Sequence, residues 1–198
     1  IYVNGISLAV IEFKRSSVSV ADGIRQNLTN QRDDFIREFF VTSQILLAGN
    51  DTEGLRYGTT RTPEKYYLEW RNYEGSEKEQ PFYSLTNKIN DVCRTIENKL
   101  DKQIYSLFEK HRFLQIIYNF IIFDKGIKKI CRHNQYFGIT EAVYRINNNK
   151  GGIIWHTQGS GKSLTMVWLS KWYLENFANG RVLIVTDREE LDDQIEKL

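Results

Sequence analysis

Methionine occurs once, proline twice and cysteine twice in the 198 residues of this sequence. Two thiols, Cys93 and Cys131, without C-x-x-C spacing exclude a disulfide framework and point to a reducing cytosol. The three histidines are scattered, and Cys131 and His133 stand too close together for a zinc pair, so no structural metal is expected. Long apolar runs are missing as well. The longest, Phe113 to Phe123, is broken by Gln115 and Asn119 and falls short of the ~20 residues a membrane helix needs. No charged segment followed by an apolar core and cleavage site reads as a secretory signal. A soluble, cytoplasmic protein with no membrane partner is expected. A strong charge of one sign is also absent: 27 Lys and Arg against 25 Asp and Glu leave +2, so any grip on nucleic acid must come from local clusters.

The 41% apolar content is enough to fill the core of one full domain or two small ones. Ile1 falls inside a strand-like run, the single Met stands at position 166, and Leu198 falls in what reads as a helix, so a piece of a longer chain is expected. Ile1 to Val3 and Ile6 to Phe13 are β-rich runs joined by Asn4-Gly5, a dipeptide suited to a tight hairpin. Ser17 to about Arg37 reads as an amphipathic helix, with Ile24, Leu28, Phe35 and Ile36 on one face and Ser19 or Asp22 as cap. Phe39 to Ala48, Leu55 to Thr60 and Tyr66 to Trp70 read as strands, and 71–81 as a linker or long loop. From Phe82 to Phe123 apolar residues recur every three or four positions, as in a helical segment. Ile127 to Arg132 then reads as a short strand and Gln135 to Asn147 as a helix.

The most informative stretch is His156-Thr157-Gln158-Gly159-Ser160-Gly161-Lys162-Ser163. The strand-like run Gly151 to Trp155 precedes it, a helix from Leu164 to Phe177 follows it, and a second apolar run spans Arg181 to Asp187. Glycines let backbone N–H groups turn toward a phosphate, and a helix N-terminus adds partial positive charge. In that reading Lys162 meets the β- and γ-phosphates of ATP and Ser163 ligates magnesium (Mg2+), with Thr157, Gln158, Gly159, Ser160 and Gly161 forming the cradle. His156 replaces the first glycine of the usual pattern. The two apolar runs and the intervening helix describe a βαβ unit of a parallel sheet.

Near the beginning, Leu8-Ala9-Val10-Ile11-Glu12-Phe13-Lys14 is an apolar strand ending in opposite charges at alternate positions. Period two sets Glu12 and Lys14 on one face. A carboxylate that helps hold Mg2+, which polarises a phosphodiester and acidifies a bound water, beside a lysine that orients that water, is a set suited to phosphodiester hydrolysis. The plainer reading is an ion pair at a sheet edge.

These residues carry a resemblance. His-Thr-Gln-Gly-Ser-Gly-Lys-Ser with Val-Leu-Ile-Val-Thr-Asp-Arg looks like motifs I and Ia of superfamily 2 helicases and translocases. The run from Tyr2 to Lys14 resembles the PD-(D/E)-x-K nuclease core of the restriction subunit of type I restriction-modification enzymes. The stretches Ala48 to Gly58, Thr62 to Trp70, Asn119 to Asp124 and Arg132 to Phe137 also look like that subunit. The resemblance implies an α/β fold: a nuclease-like mixed sheet with helices over 1–75, a helical connection over 76–126, and from 127 the start of a RecA-like parallel motor lobe. It implies catalytic roles for Glu12, Lys14 and Gln26, with Asn30 where that family commonly has Tyr, and a metal-binding Asp on a strand before Ile1. Gln135 would read the adenine ring. The implied activity is ATP-dependent translocation along double-stranded DNA and its endonucleolytic cleavage, in a complex with methylation and specificity subunits. Other readings are a different nuclease-helicase fusion acting in repair, a nucleotide-binding domain in which Glu12 and Lys14 merely pair, and an interaction scaffold.

Overall fold

A computed structural model describes residues 1–72 and 81–185. Strands β1 (Tyr2–Val3) and β2 (Ile6–Ser7) pair antiparallel around Asn4 and Gly5, whose φ values of 49° and 80° make the tight turn that the dipeptide predicts. The expected second hairpin strand is split at Leu8. Its carbonyl accepts from the backbone N–H groups of Gln44 and Ile45, which moves β3 (Ala9–Phe13) into a different sheet.

There β3 runs parallel to β4 (Ile45–Asn50), and the crossover between them carries helix α1 (Val20–Asn30). Strands β5 (Gly54–Gly58) and β6 (Leu68–Glu69) follow antiparallel, giving the order β3-β4-β5-β6. The molecule is thus mixed α/β with a mixed sheet. Helix α1 starts where Ser19 accepts from the N–H of Ala21, but it ends at Asn30, short of the expected Arg37. Phe35 and Ile36, assigned to its apolar face, lie exposed beyond it. The run from Phe39 becomes strand only at Ile45, because Arg37–Phe40 forms a 3-10 turn first.

The helical stretch after the linker is three helices: α2 (Pro81–Thr95), α3 (Lys99–Phe108) and α4 (Lys110–Asn119). Side-chain caps mark two of the breaks. Asn98 accepts from the N–H groups of Leu100 and Asp101, and Glu109 from those of His111 and Arg112. Ile121, expected to continue the helix, instead opens β7 (Ile121–Asp124), which turns through Lys125 and Gly126 into β8 (Ile127–Ile130). Helices α5 (His133–Asn147) and α6 (Lys162–Asn176) complete the described elements.

The expected βαβ unit has its helix but not its strands. Residues 151–157 and 181–185 pair with no other strand among the described residues, and Ile153 and Leu183 are 90% and 87% exposed. An apolar run becomes a strand only against a partner edge, and none lies beside these two. Asp187, the last residue of the second run, and most of the 71–81 linker lie outside the described residues.

One apolar core joins the segments. The sheet face made by Ala9, Ile45, Leu47 and Tyr57 packs with Leu107 and Phe113 of the connecting helices and with Tyr136, Phe137 and Trp168 of α5 and α6. The opposite face meets α1 through Ala48, Val20 and Ile24.

Candidate nuclease and nucleotide sites

Glu12 sits on β3, and Lys14 follows the strand end with its N–H held by the carbonyl of Gly49 at 2.9 Å. The Lys14 ammonium lies 2.9 Å from Glu12 Oε1 and also donates to Gln26 Oε1 on α1. Sequence period thus sets Glu12 and Lys14 together, and the fold adds Gln26. The approach of α1 depends on a missing side chain: a Cβ on Gly23 would lie 3.0 Å from Ala48 Cβ and within 3.5 Å of the Lys14 and Glu12 side chains. Asn27 fixes the helix by donating to the Leu47 carbonyl at 2.7 Å. Glu53, which the sequence reading passed over, accepts from the N–H of Val20 at the α1 N-terminus. That hydrogen bond is the main cause holding its carboxyl below the ordinary range.

Among the described residues no three His, Cys, Asp or Glu side chains gather to hold a metal. Glu12 supplies one carboxylate, and its Oε1 already faces Lys14. Mg2+ surrenders its hydration shell reluctantly and needs more hard ligands than this. The donor set present does not by itself suffice to hold Mg2+. Asn30, in the place of the family's Tyr, is the last residue of α1.

The glycine loop leads into α6. Gly159 and Gly161 have φ values of 75° and 86°, and a Cβ on Gly161 would meet Gln135 Nε2 at 2.5 Å. Gln135 is buried. Its Oε1 accepts from the Arg132 N–H at 2.8 Å, capping α5, and its Nε2 donates to the Gly161 carbonyl at 2.9 Å. Arg132, not singled out from sequence, donates to the Gly159 carbonyl at 3.0 Å. The turn is thus pinned at two carbonyls by the start of α5. Lys162 donates to the carbonyls of His156 and Thr157 at 3.3 and 3.2 Å. Burial, with the Lys162 charge adding to it, holds the His156 imidazole below its ordinary pKa, so it is neutral at pH 7.

Phosphates fit this loop. Ser160 Oγ is buried without a hydrogen-bond partner among the described residues, left-handed glycines free the loop backbone, and the N-terminus of a 15-residue helix stands directly behind. Thr157, Gln158 and Gly159 are exposed along the same stretch, and Ser163 is the second residue of α6.

Residues 1–65 match the family model described as type I restriction enzyme R protein N terminus, and residues 134–198 the one described as SWI2/SNF2 ATPase. The Type I restriction enzyme HindI endonuclease subunit of Haemophilus influenzae is 30% identical over 209 residues, covering 98% of this chain and 19% of that protein. The Type I restriction enzyme SsaAORF53P endonuclease subunit of Staphylococcus saprophyticus is 26% identical over 201 residues, covering 100% of this chain and 20% of that one. The resemblance to type I restriction subunits holds along the whole chain. The chain spans about a fifth of the length of the curated relatives it matches. The two matched families fall on the two sites in order: Glu12, Lys14 and Gln26 lie within the first, and the glycine loop and Gln135 within the second. Among the described residues no helix is long and apolar enough to cross a membrane.

Proposed function

We propose that this chain is the nuclease core, helical connection and opening of the motor of a restriction subunit that translocates along double-stranded DNA with ATP and cuts it. Residues 1–75, 76–126 and 127–198 would be those three parts, the last being the start of a RecA-like lobe. Its partners would be methylation and specificity subunits, in the cytoplasm. The observation that carries the reading is the convergence of Glu12, Lys14 and Gln26 on one ammonium group, followed in the chain by a cradled glycine loop. A random edge ion pair has no reason to recruit an amide from a helix twelve residues on.

In the nuclease part, Lys14 is the group that orients a water or a phosphate oxygen, and Gln26 holds the ammonium in place through its amide oxygen. Glu12 pairs with the lysine and would offer its remaining oxygen as one ligand for Mg2+. In the nucleotide part, Gly159, Ser160 and Gly161 present N–H groups to the phosphates. Lys162 would leave the carbonyls of His156 and Thr157 for the β- and γ-phosphates, and Ser163 would be a magnesium ligand. ATP supplies the free energy of phosphoryl transfer. Gln135 spends both amide ends inside the protein, so its role is to position the loop.

The test is made on the full-length protein with its partner subunits. Lys162→Ala removes a charge that stabilises the transferring phosphoryl group, typically several kcal/mol, and should abolish ATP hydrolysis and translocation. Glu12→Ala and Lys14→Ala should abolish cutting while leaving DNA-stimulated ATP hydrolysis near the parent rate. Cutting retained by Glu12→Ala returns that residue to a plain ion pair.

A further inference from the structure

A cavity of about 1090 Å³ opens between the end of the sheet and helices α2 and α3, and none of the nuclease or loop residues lines it. Four cations, Arg71, Arg94, Lys99 and Lys102, line it against two carboxylates, Glu69 and Asp91. Glu69 is shared among several of these cations: Lys99 lies 2.9 Å and Arg71 3.1 Å from it. Behind the wall stands a further positive charge. Arg112 is fully buried, and its Nη1 donates to Asn72 Oδ1 at 3.1 Å and to Ser106 Oγ at 2.8 Å, both residues of the cavity lining. It also donates to the Ser106 carbonyl at 2.9 Å, lies over the rings of Trp70, Tyr136 and Phe137, and is within electrostatic reach of the Glu109 carboxylate; among the described residues its Nε has no hydrogen-bond partner. Asp91 pairs with Arg94 at 3.0 Å, so the described lining keeps an excess of cations over carboxylates, with Lys102 in no described ion pair and a buried guanidinium behind the wall.

We propose that this cavity binds phosphate groups, supplied by the backbone of a DNA duplex or by a free polyphosphate. Several separate donors suit a ligand with several charged oxygens better than they suit a single carboxylate. A space of this size takes the phosphates of one strand at its mouth and not a whole duplex. The site goes beyond the nuclease and nucleotide reading and shares no lining residue with either.

Cys93 gives a local readout, because it lines the cavity partly exposed while Cys131 is wholly buried. The rate at which the Cys93 thiol of the full chain reacts with a chromogenic disulfide is measured alone, with a short DNA duplex, and with tripolyphosphate. The duplex should slow the reaction several-fold. Arg94→Gln with Lys102→Gln should remove that protection and lower the slope of log K against log salt for duplex binding by about two. Lys150→Gln, an exposed charge elsewhere, should bind as the parent does. Protection by tripolyphosphate and not by duplex assigns the site to free polyphosphates; the reverse assigns it to the DNA backbone. No protection by either probe, or an unchanged slope in the double variant, overturns the proposal.

Discussion

A single side chain decides how each site is read. Lys14 is the centre of the first, since Glu12 and Gln26 meet only through its ammonium. The alternation of charge along β3 made the first pairing legible in the sequence, but Gln26 entered through family resemblance, because spacing along a chain does not say how a helix lies on a sheet. Glu69 was invisible to sequence reading and is the most perturbed carboxylate near either site. Burial works to raise its pKa, but hydrogen bonds from Lys99 and Arg71, with the charge of Arg56, outweigh that and hold it at about 2 against an ordinary 4.5. A depressed carboxylate stabilises the fold while the native state keeps it ionised and the unfolded chain would protonate it. Its contribution is therefore complete above about pH 4.5 and is lost as pH falls toward 2. Glu69→Gln should lower stability at pH 6 and flatten the acid side of the profile. Chemical denaturation of parent and variant from pH 6 to pH 3 checks this. Parallel profiles would mean that Glu69 is not held ionised by its three cations.

At the scale of elements, what decided legibility was whether a local rule or a distant partner sets the boundary. Asn4-Gly5 announced its hairpin because both residues tolerate positive φ. Lys125-Gly126 makes a similar turn, with φ values of 50° and 77°, and went unread because lysine seldom takes that conformation. The helical period from Phe82 onward was real, yet period alone does not locate the caps at Asn98 and Glu109. The runs at 151–155 and 181–187 read as strands from apolarity, a property that needs a neighbouring edge before it becomes a ladder. The glycine loop is the element whose conformation was most fully written in its residues. Alanine at Gly161 would face a left-handed backbone, costing about 1–2 kcal/mol, and a Cβ only 2.5 Å from Gln135 Nε2. Gly161→Ala should weaken nucleotide binding, and adding Gln135→Ala should relieve the clash but not the backbone strain, so affinity returns only in part. Calorimetric titration with ATP on the parent and the two variants measures this. Parent-like affinity for Gly161→Ala would show that the loop does not need its left-handed turn.

For the molecule as a whole, the three segments that composition and resemblance separate share one core. Trp70 at the end of the sheet bonds Ser106 on α3 at 2.9 Å, packs edge-on against Tyr136 of α5, and lies beneath the buried Arg112 of α4. Sequence marks such residues only as aromatic or charged, and nothing in their spacing says that they meet. Burial holds the Arg112 guanidinium below its ordinary pKa, so its desolvation costs free energy that the ring faces and four polar acceptors only partly offset. Cutting it to alanine leaves a cavity and strips Ser106 and Asn72 of a donor, a loss of about 3 kcal/mol. Methionine fills the space between the rings without a charge to desolvate, so Arg112→Met should cost far less than Arg112→Ala. Because the same cluster fastens sheet, connecting helices and α5, the chain should unfold in one transition, and Arg112→Ala should lower its Tm without splitting it. Circular dichroism and tryptophan fluorescence, followed through the same thermal ramp, give coincident curves if the core is shared. Two separated transitions in the parent chain would mean that the nuclease sheet and the nucleotide loop rest on independent cores, and a shared cluster would then be no route by which either part holds the other in place.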